Sequence, residues 1–422
     1  MKKGLITFAM LLPFMMITTS CKSNINVHEL QPYLFQTDTY KELDYQFAHN
    51  YYKKNYDNWG GGGCSAISKI VDGHRLVGRN MDLNISKKCA YIIPAETGKY
   101  KTIGLMYTFR DISPDYEKVR KEGIDSDFGK ILPFMCDDVL NEAGLHIELN
   151  MRHAEFWPNG DDMFACEHTN EFSETRVHMF ELPRLIGDKC ATVSEAIQYM
   201  SSLDVYSQNK YWNYCFVISD AYGGTVLVEF CLNQMFVLYE DMIPQYNAFL
   251  DKYDPTIPYR MHAIGQTNFY VNYTAYLMQN TKTGTGRYRV LQENIDSVKN
   301  KDDLFKLMNR ISYSWFYQDY DICKNEHFDP RSEQVGEFKG ATYNFMMNPE
   351  YEEFIKAAMN AYSEPIRSLT RDQKREKNEY WESTFTEVVD CTDKTILIRF
   401  YEDFDYVYNI SFDGIKKITY SV

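Results

Sequence analysis

Apolar and polar residues alternate over short runs along most of this chain, the period of strands that bury one face. Such runs occur at Ala66–Val71, Arg75–Arg79, Ile103–Phe109, Leu145–Met151, Tyr214–Ser219, Thr225–Phe230, Met235–Tyr239, Thr384–Val389, Thr395–Tyr401 and Tyr406–Phe412. Several are joined by short Gly or Asp turns, which predicts mostly antiparallel sheets. A helical period predicts helices over Gly129–Glu142, Ser194–Leu203, Arg287–Val298, Asp302–Ile311 and Glu350–Ala361, with Ser194 and Asp302 as N-caps. Strands with intervening helices suit two packed sheets covered by helices, an α+β sandwich. The stretch 314–348 carries many aromatic and turn residues without a period and reads as a long loop. Ser363–Glu379, rich in both charges, reads as a solvated helix or connector.

Composition narrows the class. With 44% hydrophobic and 25% charged residues, the chain has an ordinary globular balance, which excludes disordered, collagen-like and coiled-coil readings. Its formal charge of −14 and the absence of a Lys/Arg cluster argue against nucleic acid as a partner. The 422 residues would suit two or three domains or one large sheet-based body. The ten cysteines show no CxxC pair and no zinc spacing, and no HExxH occurs, so neither a metal nor another cofactor is expected.

The chain opens Met1-Lys2-Lys3, continues apolar from Leu5 to Ile17, and reaches Thr18-Thr19-Ser20-Cys21. A basic start, a short apolar run and small residues before a cleavage point make a secretory signal over 1–21. Ending on Cys, it resembles a bacterial lipoprotein signal with Cys21 as the lipidated residue. The expected location is outside the cytoplasm, in the periplasm or cell envelope, with the membrane reached only through a lipid on Cys21.

Four glycines, 60–63, precede Cys64, and the next residues form two strand-like runs around Asp72-Gly73, the strongest short-range hairpin signal. If Val71 faces His74, then Cys64 faces Met81, and Arg79 lies diagonally on the face of Cys64. Asp82 falls at the strand end, close to the Cys64 backbone nitrogen. A guanidinium beside a thiol favours its ionisation, and a carboxylate favours an ammonium. Gly63 places no side chain at the bond before Cys64, so we expect Cys64 to be freed by cleavage after Gly63, leaving nucleophile and base on one residue.

Gly63-Cys64-Ser65 followed by Gly78-Arg79-Asn80-Met81-Asp82 resembles the mature start of the N-terminal-nucleophile (Ntn) hydrolases of the choloylglycine hydrolase and penicillin V acylase family, with the related isopenicillin N acyltransferases. Asn141-Glu142-Ala143-Gly144-Leu145, running on to Asn150, is similar to the family's oxyanion-hole stretch; Phe216–Asp220 through Val228-Glu229 is similar to its next strand pair. Thr267-Asn268 matches a second oxyanion residue. Arg287 in Gly286-Arg287-Tyr288-Arg289 matches a later active-site Arg, with Arg289 an equally good candidate. The resemblance implies a four-layer αββα sandwich of two mostly antiparallel sheets over 64–422, and a leading segment 22–63 as a pro-piece or small subunit. It implies autoproteolysis before Cys64, attack by Cys64 on an N-acyl amide, orientation and tuning by Arg79 and Asp82, oxyanion contacts from Asn150 and Asn268, and Arg287 at the site.

The expected function is hydrolysis of the linear amide of a small-molecule N-acyl conjugate, bile-salt-like or related, through a Cys64 thioester. An acyltransferase and a non-catalytic ligand-binding surface lipoprotein stay open as alternatives. So do association with the cleaved leading segment and assembly into homo-oligomers. Aromatic residues make up 15% of the chain, and those near 107–110, 154–158 and 269–276 suit an acyl pocket or simple packing.

Overall fold

The turn at Asp72-Gly73 has both residues at positive φ, 50° and 85°, the twist that closes a two-residue hairpin. Its register is the one expected: Val71 faces His74, Cys64 faces Met81 and Gly63 faces Asp82. In this computed structural model the described residues are 33–35, 45, 46, 50, 63–84, 88–107, 130–134, 136–153, 166–207, 212–255, 257, 259–278, 284–312, 381–400 and 406–420. The expected signal with Cys21, most of the leading segment, the 314–348 loop, the Glu350–Ala361 helix and the charged Ser363–Glu379 stretch lie outside them.

In chain order the strands are β1 (Tyr33–Phe35), β2 (Gly63–Val71), β3 (His74–Asn84), β4 (Lys88–Ile93), β5 (Thr102–Tyr107) and β6 (Asp138–Asn141). There follow β7 (His146–His153), β8 (Arg176–His178), β9 (Asp204–Tyr206), β10 (Trp212–Ser219), β11 (Thr225–Cys231) and β12 (Gln234–Tyr239). The last are β13 (Gly265–Gln266), β14 (Trp381–Asp390), β15 (Thr395–Phe400), β16 (Tyr406–Ser411) and β17 (Gly414–Thr419). The helices are α1 (Leu182–Lys189), α2 (Val193–Ser202), α3 (Ile243–Tyr253), α4 (Tyr273–Met278), α5 (Thr285–Asn294) and α6 (Lys301–Arg310).

Two large sheets result. One runs β1-β4-β5-β6-β7-β10-β11-β12, antiparallel except for β1 against β4; the other runs β13-β2-β3-β14-β15-β16-β17, antiparallel throughout. Period-two alternation gives each sheet an inner and an outer face. Cys64, Met81, Phe385 and Ile398 of one sheet pack against Ala90, Ile103, Leu105 and Leu140 of the other. On the outer faces, Ile147, Phe216 and Val228 pack against α1 and α2, and Ile67, Leu76 and Val388 against α5 and α6. These are the four layers of the expected α+β sandwich.

The expected helix over Gly129–Glu142 is not formed. A short 3-10 turn, Leu132–Phe134, is followed by strand β6, because Asp138-Val139-Leu140-Asn141 alternates, with Leu140 facing the other sheet and Val139 facing the helices. Asn141 then closes a turn: its Oδ1 accepts from Ala143 N and Leu145 N, each at 3.0 Å. Two caps also shift. Thr192, not Ser194, accepts from Glu195 N at the start of α2, and Asn300, not Asp302, accepts from Asp303 N at the start of α6. In each case the residue in extended backbone, not one already inside the helix, can turn its side chain onto a free N–H. The expected Arg287–Val298 helix is α5 followed by a separate 3-10 turn, Ile295–Ser297.

Candidate active site

Cys64 is the second residue of β2, and alternation sends its side chain to the inner face, where it is 2% exposed. Its Sγ donates to Met81 Sδ at 3.5 Å. Burial pushes the thiol up to about 12, opposed by the nearby Arg79 guanidinium. With strand β2 continuous through Gly63, burial holds the thiol protonated.

Asp82 follows Met81, so it points to the opposite face, towards α5. There Arg287 Nη1 donates to Asp82 Oδ2 at 2.6 Å and to the Cys64 carbonyl at 3.1 Å, while Nη2 donates to Asn268 Oδ1 at 2.7 Å. Ser383 on β14 also donates to Asp82. The Cys64 backbone N–H donates to Asn268 Oδ1 at 3.3 Å. The partner of that nitrogen is therefore Asn268, and Asp82 acts on it through Arg287. Asn268 Nδ2 in turn donates to the Met151 carbonyl at 2.8 Å, which ties the loop after β13 to the other sheet. Glu229 on β11 fixes this loop by accepting from Val271 N and Asn272 N, at 2.9 and 2.7 Å. At the head of α5, Gly284 has φ 84°, and a Cβ there would meet Thr267 Oγ1 at 2.7 Å and Arg287 Nη2 at 3.0 Å. The helix can reach Cys64 because that position is glycine.

Arg79 lies on the inner face with Cys64. Its Nε donates to Glu148 at 2.6 Å, and its other nitrogens donate to Asp138 and to the Leu149 carbonyl. Asn150 Nδ2 donates to Glu148 as well. Burial pushes the Glu148 carboxyl up to about 7 against the pull of Arg79. The choice between the two arginines of α5 is settled by helical geometry: Arg287 is 1% exposed, whereas Arg289 is an outer residue paired with Glu293 one turn on. All six expected residues are described. Cys64, Asp82, Asn268 and Arg287 form one bonded set, and Arg79 and Asn150 form a second around Glu148 behind the thiol.

No family model matches the chain, and no curated protein matches it. Among solved structures it is similar to mutant and variant forms of the conjugated bile acid hydrolase from Clostridium perfringens, at 13% identity and a TM-score of 0.46, covering 85% of this chain and 97% of that one. It is also similar to penicillin V acylase from Agrobacterium tumefaciens, at 13% identity and a TM-score of 0.39, covering 84% of this chain and 91% of that one.

Of the site's neighbours, His146, Glu148 and Arg152 carry no motif in the sequence. His146, Glu148, Asn150 and Arg152 occupy the inner face of β7, all fully buried, so a complete strand face between the sheets is polar. The signal was the alternation itself, polar on one face of a strand whose other face, Ile147, Leu149 and Met151, is core. The expected aromatic stretch 269–276 is buried as Phe269, Tyr270, Val271 and Tyr276, while 108–110 and 154–158 lie outside the described residues. A surface groove of about 710 Å³ at the β10–β11 turn, lined by Ile197, Asp220, Tyr222 and Glu240 among others, includes no member of the Cys64 set.

Proposed function

We propose that this chain is an amidohydrolase that cleaves the carbon–nitrogen bond of an N-acyl conjugate through a thioester on Cys64, after releasing Cys64 by cleavage behind Gly63. The observation that carries this reading is the arrangement on the two sides of one residue. Cys64 presents its sulfur to Arg79 and its backbone nitrogen to Asn268, with Arg287 and Asp82 behind that nitrogen. Cleavage turns the nitrogen into an α-amine with a reference pKa of about 7.7–8.0, so a fraction is neutral near pH 7 and takes the thiol proton. Asn268 Oδ1, already accepting from that nitrogen, holds the amine in place. Arg79 favours the thiolate that attacks the acyl carbonyl.

Each of Asn150 and Asn268 has two N–H donors and directs one of them to Glu148 and to the Met151 carbonyl respectively. The second N–H of each is available to an oxyanion, a contact worth about 3–4 kcal/mol per donor. The α-ammonium returns the thiol proton to the departing amine nitrogen as the C–N bond breaks, and water then attacks the thioester, releasing the acid and restoring the thiol. The proposed acyl group is bile-salt-like or related, and glycine or taurine conjugates are the first substrates to assay.

Intact mass and product analysis test this together. The purified protein should yield a chain beginning at Cys64 and release free acid and amine. Cys64→Ser should keep the fold and lose turnover; a native chain with an intact Gly63–Cys64 bond that still hydrolyses the conjugates would exclude the mechanism.

A further inference from the structure

Behind Arg79, three further ionisable side chains meet between the sheets. Asp138 stands on β6, His146 on β7 and Glu387 on β14, each 1% exposed or less. His146 Nε2 lies 3.6 Å from Asp138 Oδ1 and 4.0 Å from Glu387 Oε1, and one ligand-type atom from each residue lies within 4.8 Å of the others. Asp138 Oδ2 accepts from Arg79, but Asp138 Oδ1, both ring nitrogens of His146 and both oxygens of Glu387 have no hydrogen-bond partner unless Asp138 and Glu387 share a proton. Buried polar atoms without partners keep their full desolvation penalty. The charge is also unbalanced, since Arg79 directs its donors to Asp138, Glu148 and a carbonyl, while Glu387 faces Asp138, carboxylate to carboxylate.

We propose that Asp138, His146 and Glu387 bind a divalent first-row transition cation of the zinc type. One imidazole and two carboxylates form a mixed nitrogen–oxygen donor set that such cations accept, whereas calcium and magnesium take oxygen alone. Metal–ligand bonds of about 2.0–2.2 Å in tetrahedral geometry set ligand atoms about 3.3–3.6 Å apart. The observed 3.6 and 4.0 Å from His146 need a closure of a few tenths of an ångström, and the Asp138–Glu387 separation, within 4.8 Å, needs at most about 1.5 Å. The cation would fasten β14 of one sheet to β6 and β7 of the other. Because Asp138 holds Arg79 with its second oxygen, the cation would also fix the guanidinium behind the Cys64 thiol. The site stands whether or not Cys64 is a nucleophile.

Metal analysis of the full chain tests it, both as purified without added metal and after refolding with Zn²⁺ or Mn²⁺. About one ion per chain is expected, lost in His146→Gln and in Glu387→Gln and retained in Cys64→Ser. A wild-type chain that takes up less than about 0.1 ion under all these conditions overturns the site and leaves a proton shared between Asp138 and Glu387. Retention of the ion by either ligand variant overturns it too. If those variants do not fold, X-ray absorption on the zinc-loaded wild type decides. An imidazole and oxygen shell supports the site, and a sulfur shell at about 2.3 Å assigns the zinc to a cysteine and overturns it.

Discussion

At the scale of single residues, the site is governed by which face of a strand a side chain occupies. Cys64 and Arg79 point inward and Asp82 points outward, so sulfur and backbone nitrogen meet different charges although they belong to one residue. In the uncleaved chain burial pushes the thiol up to about 12, so about one molecule in ten thousand carries the thiolate at pH 8. Burial favours the protonated form; its contribution to stability is complete below the ordinary thiol value of 9 and falls away as pH rises towards 12. Iodoacetamide should therefore label Cys64 slowly at pH 8 in uncleaved protein and faster towards pH 12, followed by peptide mapping. Labelling as fast as that of a free cysteine at pH 8 would contradict the burial. Arg79 should be the most costly guanidinium to remove from this seam. Arg79→Leu leaves Asp138 and Glu148 buried beside each other without it, at a cost of about 3–5 kcal/mol in urea unfolding. An unchanged midpoint would mean that protons alone already hold the two carboxylates.

At the scale of elements, turns and close approaches carry the sequence information. Gly73 has φ 85° and no atom within 4 Å of an added Cβ, so Gly73→Ala meets only backbone strain, about 1–2 kcal/mol. Gly104 on β5 is the opposite case. Its Cβ would fall within 2.4 Å of the Tyr91 ring, whose hydroxyl donates to the Pro133 carbonyl at 2.8 Å, so Gly104→Ala displaces a buried aromatic. Thermal unfolding should show the larger loss for Gly104→Ala, and equal losses would refute the steric account. The hairpin that places Cys64 opposite Met81 was legible because Asp72-Gly73 fixes turn length, and turn length fixes register. The segment before Asn141 was misread as helix because four alternating residues are too few to outweigh a helical period on either side. Strand β4 and helix α1 were missed for a related reason. Their neighbours in the fold cover more than one face, and the period blurs where a segment is buried on both sides.

At the scale of the whole molecule, packing holds the sandwich, and the seven cysteines described in it form no crosslink. Cys64, Cys136, Cys166, Cys190, Cys215, Cys231 and Cys391 are all free and buried among the described residues. Thiols such as these act as small core hydrophobes, so dithiothreitol should leave the melting temperature of the folded domain unchanged. A large downward shift would reveal a disulfide that stabilises the fold. Sequence alone determined the strand-rich α+β class and the Cys64 hairpin with its register, because alternation and turn chemistry are local. Tertiary structure decided which of Arg287 and Arg289 turns inward, that Asn268 receives the Cys64 nitrogen, and that Asp138, His146 and Glu387 share one buried point. These residues stand far apart along the chain, and only the stacking of one sheet on the other brings their side chains within a few ångströms.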